Sequence, residues 1–214
     1  MIVLAGTIGA GKSSLTKMLA AHLDSQAFFE PVEENEVLPL FYQDPKKYAF
    51  LLQIYFLNRR FASMKQALKA ENNILDRSIY EDSLLFHLNA DLGRATATEV
   101  RVYDELLQNM LEELPDTLQK KSPDLLVHIR VSFETMLERI EKRGRNFEQI
   151  TFDPSLYDYY QELNRRYDVW YETYDASPKI QIDGDVFNFV ENEQAARKVL
   201  QFIEEKLREI RRVS

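Results

Sequence analysis

A glycine-rich segment close to the N-terminus has the residue types and the spacing of a phosphate-binding loop. Residues 6–13 fit the pattern G-x-x-x-x-G-K-[ST], with an apolar run before them and a helical pattern after them. Glycines let backbone N–H groups point at phosphate oxygens, Lys12 can reach the terminal phosphates, and Ser13 can ligate magnesium. The alternative is a glycine turn without a ligand. The predicted ATP-binding residues of this loop are Gly6, Thr7, Ile8, Gly9, Ala10, Gly11, Lys12, Ser13 and Ser14.

A carboxylate follows the second predicted strand. Glu30 comes directly after the apolar segment 26–29, which places it at the sheet edge where the phosphates would sit. Transfer of a phosphoryl group to an alcohol needs a carboxylate that takes the hydroxyl proton. We expect Glu30 to be this general base, and Pro31 to end the strand by fixing φ. The alternative is an ordinary loop carboxylate, because three further glutamates follow by residue 36.

An Asp-Arg-Ser sequence follows the third predicted strand. Asp76, Arg77 and Ser78 come after the apolar segment 73–75, and a helical pattern begins at Tyr80. An acid at this point can hold magnesium, and an adjacent arginine can stabilise negative charge or position an acceptor. The alternative is that Asp76 and Ser78 only cap the next helix. Capping does not explain the arginine between them.

A basic stripe follows the fourth predicted strand. Arg139 and Arg143 lie four residues apart on one helix face, and Gly144 and Arg145 follow. Like charges at this spacing repel each other, so they suggest a shared anion. We expect an arginine-bearing lid that closes over transferring phosphates. The alternative is a solvated basic face in a chain with 27 Lys and Arg residues.

Strands that alternate with helices must position these residues. Amphipathic helical patterns separate the short apolar runs, and this alternation predicts an α/β fold with a five-stranded parallel sheet and helices on both faces. Ligands then bind at the carboxyl ends of the strands. The candidate strands are Ile2 to Ala5, Gln26 to Phe29, Asn73 to Leu75, Leu125 to Val131 and Lys179 to Ile182.

Length, charge and composition limit the class of protein. The chain has 214 residues and shows no linker, so we expect a single domain over residues 1–214. A net charge of -8 disfavours a nucleic-acid partner. The absence of cysteine excludes disulfides and thiolate chemistry and fits a reducing cytoplasm. The apolar N-terminus is too short for a signal peptide, and no run is long enough to span a membrane.

Two further features favour structural roles. His22, His87 and His128 are scattered without metal-ligand spacing. Aromatic residues recur at helical spacing between Tyr157 and Tyr174, which indicates packing in a core or a dimer rather than base stacking.

Taken together and in this order, the motifs at 6–13, 30–31, 76–78 and 143–145 resemble those of the deoxyribonucleoside kinase family. The resemblance spans essentially the whole chain, and it is strongest to bacterial deoxyadenosine and deoxyguanosine kinase subunits. It implies a P-loop kinase fold and ATP-dependent phosphorylation of a deoxynucleoside on its 5′-hydroxyl. The implied roles are general base for Glu30, a 5′-hydroxyl and transition-state contact for Arg77, catalytic phosphate contacts for Lys12 and Arg143, and magnesium binding for Ser13 and Asp76.

The same resemblance implies a nucleoside pocket. An Arg and Asp pair in such a pocket offers donors and acceptors to a purine or a cytosine, whereas a thymine methyl group would need apolar space. The implied contacts are Tyr42 and Glu148 to the 3′-hydroxyl, Gln53 to the base edge, and Arg60 with Asp82 on the far side of the base. On the donor side, Asp185 and Phe187 are implied beside the adenine of ATP, and Arg139, Arg143 and Arg145 at its phosphates.

Two other functions share part of this pattern. A thymidylate kinase-like nucleoside monophosphate kinase also has a P-loop and a lid, but an arginine is expected before its second-strand acid, and Phe28-Phe29 stand there. A regulatory GTPase would need N-K-x-D and D-x-x-G motifs, which do not occur.

Assembly and feedback are further expectations. Relatives dimerise, and an apolar helical face could support a homodimer, or a heterodimer with a related subunit. A deoxynucleoside triphosphate could inhibit by placing its phosphates in the P-loop and its nucleoside in the acceptor site. The apolar face comprises Leu106, Leu107, Met110, Leu111 and Leu114.

Overall fold

A five-stranded parallel sheet forms the centre of the molecule. The computed structural model describes residues 1–30, 35–112 and 122–213. The strand order is β2-β3-β1-β4-β5, and each neighbouring pair is parallel, which confirms the predicted sheet. The strands are β1 (Ile2–Ala5), β2 (Ala27–Phe28), β3 (Ile74–Asp76), β4 (Leu125–Arg130) and β5 (Lys179–Asp183).

Eight α-helices of the described ranges surround this sheet. A short 3-10 helix also lies between α6 and α7, at Asn146–Glu148. The helices are α1 (Lys12–His22), α2 (Leu38–Gln43), α3 (Pro45–Ala67), α4 (Asp82–Asp91), α5 (Ala97–Glu112), α6 (Phe133–Arg143), α7 (Leu156–Thr173) and α8 (Glu193–Val213). None of the helices in the described part of the chain has the length and apolar character needed to cross a membrane.

The two faces of the sheet carry separate cores, because successive strand residues point to opposite faces. Ile2 and Leu4 of β1 join one core with side chains of α1, α7 and α8. Val3 and Ala5 join the other core with side chains of α3 and α5. Helices therefore cover both faces, as predicted.

The aromatic run before Tyr174 belongs to the core of the chain itself. Tyr160, Leu163 and Tyr167 of α7 are buried, and Trp170 packs beside them while its indole N–H donates to the Tyr80 carbonyl at 3.1 Å. Core packing, one of the two predicted roles, therefore accounts for this segment.

The apolar face of α5 also packs partly within the chain. Leu106, Leu107, Met110 and Leu111 are half-buried against the core that includes Val3. Leu114 lies outside the described residues. Intramolecular packing thus explains part of the pattern that suggested a dimer.

One helix start differs from its prediction. α4 begins at Asp82 rather than at Tyr80. The backbone of Arg77 has φ +68°, and the Asp82 N–H donates to the Ile79 carbonyl at 3.3 Å, so a turn occupies residues 77–81. The apolar periodicity continues through this turn, which is why sequence spacing alone placed the helix too early.

Candidate active site

The phosphate-binding loop lies tightly between β1 and α1. Gly11 is the N-cap residue of α1 and has φ +98°, in the left-handed region that favours glycine. At Gly6, with φ +145°, a Cβ would lie 2.6 Å from the Ile129 carbonyl oxygen. The loop can therefore approach the end of β4 only with glycine at this position.

Lys12 bends back onto its own loop. Its ammonium group donates to the carbonyls of Gly6 and Thr7, both at 2.9 Å. Burial lowers the pKa of Lys12 to about 8, and the neighbouring Arg77 charge adds to this effect. A phosphate bound in the loop would add negative charge next to this buried cation.

Ser13 and Asp76 form an oxygen-rich pair between α1 and β3. The Ser13 hydroxyl donates to Asp76 Oδ2 at 2.5 Å. The other carboxylate oxygen, Oδ1, is buried without a hydrogen-bond partner among the described residues, and burial raises the pKa of Asp76. Hydroxyl and carboxylate oxygens are ligands that suit magnesium, so this pair fits the predicted metal.

The Asp-Arg-Ser sequence does not cap α4. The N-cap residue of α4 is Glu81, without a side-chain capping bond, and Ser78 Oγ instead accepts from the Tyr80 N–H at 3.2 Å. Asp76 is engaged by Ser13. The capping alternative therefore fails for both residues.

Glu30 lies between two arginines. Its carboxylate accepts from Arg60 and faces Arg77 Nη1 at 3.7 Å, and its side chain is 12% exposed. Burial raises the pKa of Glu30, but the two guanidinium groups outweigh burial and hold it at about 2. Glu30 is therefore ionised at neutral pH, as a proton acceptor must be. Pro31 and the acidic residues at 33 and 34 lie outside the described residues.

Arg77 is almost completely buried below the same cavity. Its Nη2 donates to the Gly6 carbonyl at 3.3 Å, and its backbone N–H donates to the Leu4 carbonyl of β1 at 3.0 Å. Burial opposes its charge, but Glu30 and other acidic neighbours more than offset this and raise the pKa of Arg77. The guanidinium thus remains charged beside the proposed base.

A second cluster of buried polar side chains is centred on Asp82. Its carboxylate is completely buried, is ion-paired with Arg60, and accepts from Gln53 Nε2 at 2.6 Å and from the Tyr103 hydroxyl at 2.5 Å. Asp82 does not line the cavity, in contrast to the expectation from the resemblance. It lies behind Gln53 and Arg60 and orients both.

The predicted lid consists of α6 and the turn that follows it, up to Arg145, and it places arginines beside the glycine loop. Arg139 donates to the Ala10 carbonyl at 3.2 Å and to the Gly184 carbonyl at 2.7 Å, so it ties α6 to the P-loop and to the loop after β5. Arg143 pairs with Glu148, and Arg145 lies 3.5 Å from the same carboxylate. Gly144 permits the turn between the two arginines, with φ +70°.

Two cavities meet at the loop and the lid. The first has a volume of about 620 Å³ and opens toward α2 and α3, and the second has a volume of about 660 Å³ and opens toward the loop after β5. We name them the acceptor cavity and the donor cavity. The residues that line both are Gly9, Lys12, Ser13, Arg143 and Arg145.

Most of the predicted site residues line one of these cavities. In the acceptor cavity, apart from the shared residues, these are Ile8, Glu30, Tyr42, Gln53, Arg60, Asp76, Arg77 and Glu148. In the donor cavity they are Gly11, Ser14, Arg139 and Asp185. Those that line neither cavity are Gly6, Thr7, Ala10, Asp82 and Phe187.

Of the two residues predicted beside the adenine of ATP, the structure places one at the donor cavity and the other away from it. The Asp185 carboxylate accepts from the Ser132 N–H at 2.9 Å and reaches the donor cavity. Phe187 packs against the core next to Phe189 instead. The Phe187 side chain therefore does not reach the cavity in which adenine was predicted to bind.

Two buried polar residues near the site were not predicted. Tyr103 binds Asp82, and Glu81 lies fully buried beside Gly6 and Arg77. Sequence spacing could place Tyr103 on the inner face of a helix but could not reveal its hydrogen bond. For Glu81 the only signal was its position three residues after the Asp-Arg-Ser segment.

Comparison with known proteins agrees with this geometry. A family model described as deoxynucleoside kinase matches residues 2–208. A deoxyguanosine kinase of Lactobacillus johnsonii is 60% identical over 98% of this chain and 93% of its own length. A deoxyadenosine kinase of Lactobacillus acidophilus is 57% identical over 98% of this chain and 97% of its own length.

Solved structures match as well. A deoxyadenosine kinase from M. mycoides with bound dCTP superposes with a TM-score of 0.78 and 31% identity, over 96% of this chain and 100% of the other. The same kinase with bound dATP gives a TM-score of 0.77 and 33% identity, over 97% and 98% of the two chains. These matches confirm the P-loop kinase fold and do not favour a monophosphate kinase. The chain is a member of the deoxynucleoside kinase family.

Proposed function

We propose that this deoxynucleoside kinase transfers the terminal phosphoryl group of magnesium ATP to the 5′-hydroxyl of a purine deoxynucleoside. The observation that carries the proposal is the meeting of two cavities of similar volume at Lys12, Arg143 and Arg145. One cavity has room for a nucleoside and the other for a nucleotide. Phosphoryl transfer needs such an arrangement, because its catalysis depends on positioning and charge stabilisation.

On the acceptor side, Glu30 is the proposed general base. Its carboxylate is ionised, lines the acceptor cavity and lies next to Arg77. A hydroxyl that enters between them can give its proton to Glu30 while Arg77 stabilises the developing charge. Tyr42 and Glu148, at the cavity wall, are proposed to hold the 3′-hydroxyl.

On the donor side, backbone N–H groups of the P-loop and the Lys12 ammonium are proposed to bind the phosphates of ATP. Arg139, Arg143 and Arg145 add positive charge from the lid, and Asp185 is proposed near the adenine together with Phe187. Phe187 would need to turn from the core toward the cavity for that role.

Magnesium is proposed at Ser13 and Asp76. Their oxygens include the buried Asp76 Oδ1, which has no hydrogen-bond partner among the described residues. When bound there, the ion would neutralise charge on the terminal phosphates of ATP.

Preference for a purine rests on the groups at the base end of the acceptor cavity. Gln53 and Arg60 reach the cavity, and Asp82 supports both from behind. These groups offer hydrogen bonds rather than the apolar space that a thymine methyl group needs. Relatives that are 57% to 60% identical are a deoxyadenosine and a deoxyguanosine kinase. Deoxycytidine is proposed as a further acceptor, because a relative that is 34% identical is a deoxyadenosine/deoxycytidine kinase.

The acceptor position can be tested by product analysis. With magnesium ATP and deoxyguanosine or deoxyadenosine, phosphorus NMR should detect a 5′-monophosphate. The 5′-deoxy analogue of the preferred nucleoside should give no product, and dTMP should not be consumed. Consumption of dTMP without turnover of any free nucleoside would instead support a monophosphate kinase.

We also propose that the enzyme is a cytoplasmic homodimer, or a heterodimer with a related subunit. The chain has no cysteine, which fits a reducing cytoplasm, and part of the apolar face of α5 remains half-exposed. Light scattering on the purified chain should give twice the monomer mass of 25.2 kDa. A monomer mass in the absence and presence of the related subunit would contradict the proposal.

A further inference from the structure

Glu81 is a buried carboxylate next to the site that has no role in the mechanism described above. It stands directly before α4 and is 0% exposed, yet it makes no side-chain capping bond to that helix. It lines neither cavity. A buried carboxylate is costly unless compensated, so its surroundings should explain its presence.

Two groups of the active site face the two oxygens of Glu81. Oε2 lies 3.5 Å from the backbone N–H nitrogen of Gly6, and Oε1 lies 3.7 Å from Nε of Arg77. Glu81 therefore joins the start of the P-loop to the Asp-Arg-Ser segment.

Arg77 is held from two sides by carboxylates. Glu30 faces its Nη1 at 3.7 Å, on the side of the acceptor cavity, whereas Glu81 faces its Nε at 3.7 Å, on the side away from it. The backbone of Arg77 has φ +68°, which costs a non-glycine residue free energy. Such a backbone persists only where surrounding contacts hold it, and the ion pair with Glu81 is one of the contacts made by Arg77.

We propose that Glu81 is a positioning residue for Arg77. Anchored against the Gly6 N–H, its carboxylate holds the Nε edge of the guanidinium, so that Nη1 faces Glu30 at the acceptor cavity. The inference rests on the proposed function, because it assigns Glu81 to the residue that stabilises the transferring phosphoryl group. Glu81 itself touches no substrate.

Kinetics test the positioning role. Glu81→Leu removes both oxygens at similar size, and Glu81→Gln keeps one oxygen but removes the charge. We expect kcat to fall at least tenfold in the Leu variant and at least threefold in the Gln variant. KM for ATP and for the nucleoside should change less than threefold, because Arg77 acts mainly in the transition state. Glu105→Gln, at an exposed position of α5, is the control and should keep wild-type kinetics.

A double-mutant cycle separates positioning from a general loss of structure. In an Arg77→Ala background, Glu81→Leu should lower kcat less than twofold further, because the group that it positions is absent. An equal further loss in that background would contradict the proposal. So would a folded Glu81→Leu variant with kcat within twofold of wild type. If the Leu variant does not fold, the Gln variant decides by the same criteria.

A second measurement does not depend on activity. The chain has only six glycines, so selective ¹⁵N-glycine labelling gives six backbone amide signals. The Gly6 signal should move in Glu81→Gln, while those of Gly93 and Gly144, where a Cβ would meet no atom within 4 Å, should not move. An unmoved Gly6 signal would overturn the anchoring contact. If the wild-type protein phosphorylated no deoxynucleoside, the proposed function would be wrong. The Gly6 signal would still show whether Glu81 contacts the Gly6 N–H.

Discussion

At the scale of single residues, the charge of Glu30 depends on its arginine partners. Arg60 and Arg77 hold the pKa of Glu30 at about 2, which makes it a weak base while both are in place. A nucleoside that draws Arg60 toward its base would remove one of these charges and raise the basicity of Glu30. Such a movement would couple substrate binding to activation of the base.

Replacement of Glu30 by Gln tests its role as the base. The substitution preserves size but removes the proton acceptor, so kcat should fall by roughly 100-fold or more. Steady-state kinetics with the preferred nucleoside measure the effect. Glu36→Gln, at an exposed position of the same loop region, is the control and should remain active. A Glu30→Gln variant with wild-type kcat would exclude Glu30 from this role.

The lowered pKa of Lys12 predicts that the protein takes up a proton when ATP binds. Its pKa in the free protein is lowered to about 8, and phosphate contacts should raise it, so Lys12 is largely neutral before binding at pH 9 and charged afterwards. Calorimetry of magnesium ATP binding at pH 9, in buffers of different ionisation enthalpy, should show uptake of roughly one proton.

The sign of this linkage also fixes its pH range. Because the bound state holds more protons, affinity for ATP should fall as the pH rises above 8. At pH 6.5 Lys12 is already protonated, so the same titration should show little uptake there and serves as the control. No uptake at pH 9 would mean that Lys12 is charged in the free protein.

The positions of residues that follow strand ends could be predicted from the sequence, whereas those of the buried residues that support them could not. Glu30 and Arg77 could be predicted because the ends of parallel strands meet at one edge of a sheet. Glu81 and Tyr103 could not, because their roles depend on how the turn at 77–81 and helix α5 pack below that edge. Burial of a polar side chain leaves no periodic signal.

At the scale of elements, hydrogen bonds join the lid to the phosphate loop. Arg139 of α6 donates to Ala10 in the P-loop and to Gly184 after β5. Arg143, one turn later, pairs with Glu148 at the junction of the two cavities. The two arginines of the predicted stripe therefore have different partners: Arg139 connects three elements through backbone carbonyls, whereas Arg143 pairs with a carboxylate of the acceptor cavity.

Arg139→Ala should lower the stability of the ligand-free protein. The charged guanidinium makes two hydrogen bonds to carbonyls, and their loss should reduce the free energy of unfolding by about 1–3 kcal/mol. Urea unfolding measures this change. Lys142→Ala removes an exposed ion pair on the same helix and should have an effect of about 0.5 kcal/mol or less. Equal effects of the two substitutions would contradict the connecting role of Arg139.

Element positions could be predicted closely where apolar runs are short and bounded by polar residues. All five strands lie within one residue of the predicted ends. The start of α4 was placed two residues early because the turn at 77–81 carries buried side chains at helical spacing. The chain turns at this point because Arg77 has a left-handed φ, which the spacing of apolar residues cannot indicate.

At the scale of the whole molecule, a buried histidine links stability to pH. His128 of β4 is 1% exposed, its ring stacks on Tyr171 with 4.9 Å between centroids, and Nδ1 lies 3.1 Å from Gln181 Nε2. Burial lowers the pKa of His128 to about 4. The unfolded chain therefore binds a proton at this residue before the folded chain does.

This difference predicts loss of stability in mild acid. Between the unfolded pKa near 6.5 and the folded value, acidification favours the unfolded state. From pH 7 to pH 5 the contribution of His128 to the free energy of unfolding should fall by about 2 kcal/mol. Urea unfolding at both values should show this decrease in the wild type and a smaller one in His128→Gln. An identical decrease in both proteins would assign the effect to other groups.

The overall architecture could be predicted because one motif constrains so much of it. A glycine loop between a strand and a helix requires neighbouring parallel strands, and the later motifs each follow one of them. The division of the cleft into two cavities could not be predicted, because it depends on the lid and on helices α2 and α3 meeting over the loop.

Phosphorylation of a purine deoxynucleoside at the paired cavities can be tested with one set of rate measurements. The most direct measurement is kcat/KM for deoxyadenosine, deoxyguanosine, deoxycytidine and thymidine in parallel, with magnesium ATP as donor. We predict the highest value for deoxyguanosine or deoxyadenosine, a lower value for deoxycytidine, and the lowest for thymidine. Preference for thymidine, or turnover of none of the four, would contradict the account.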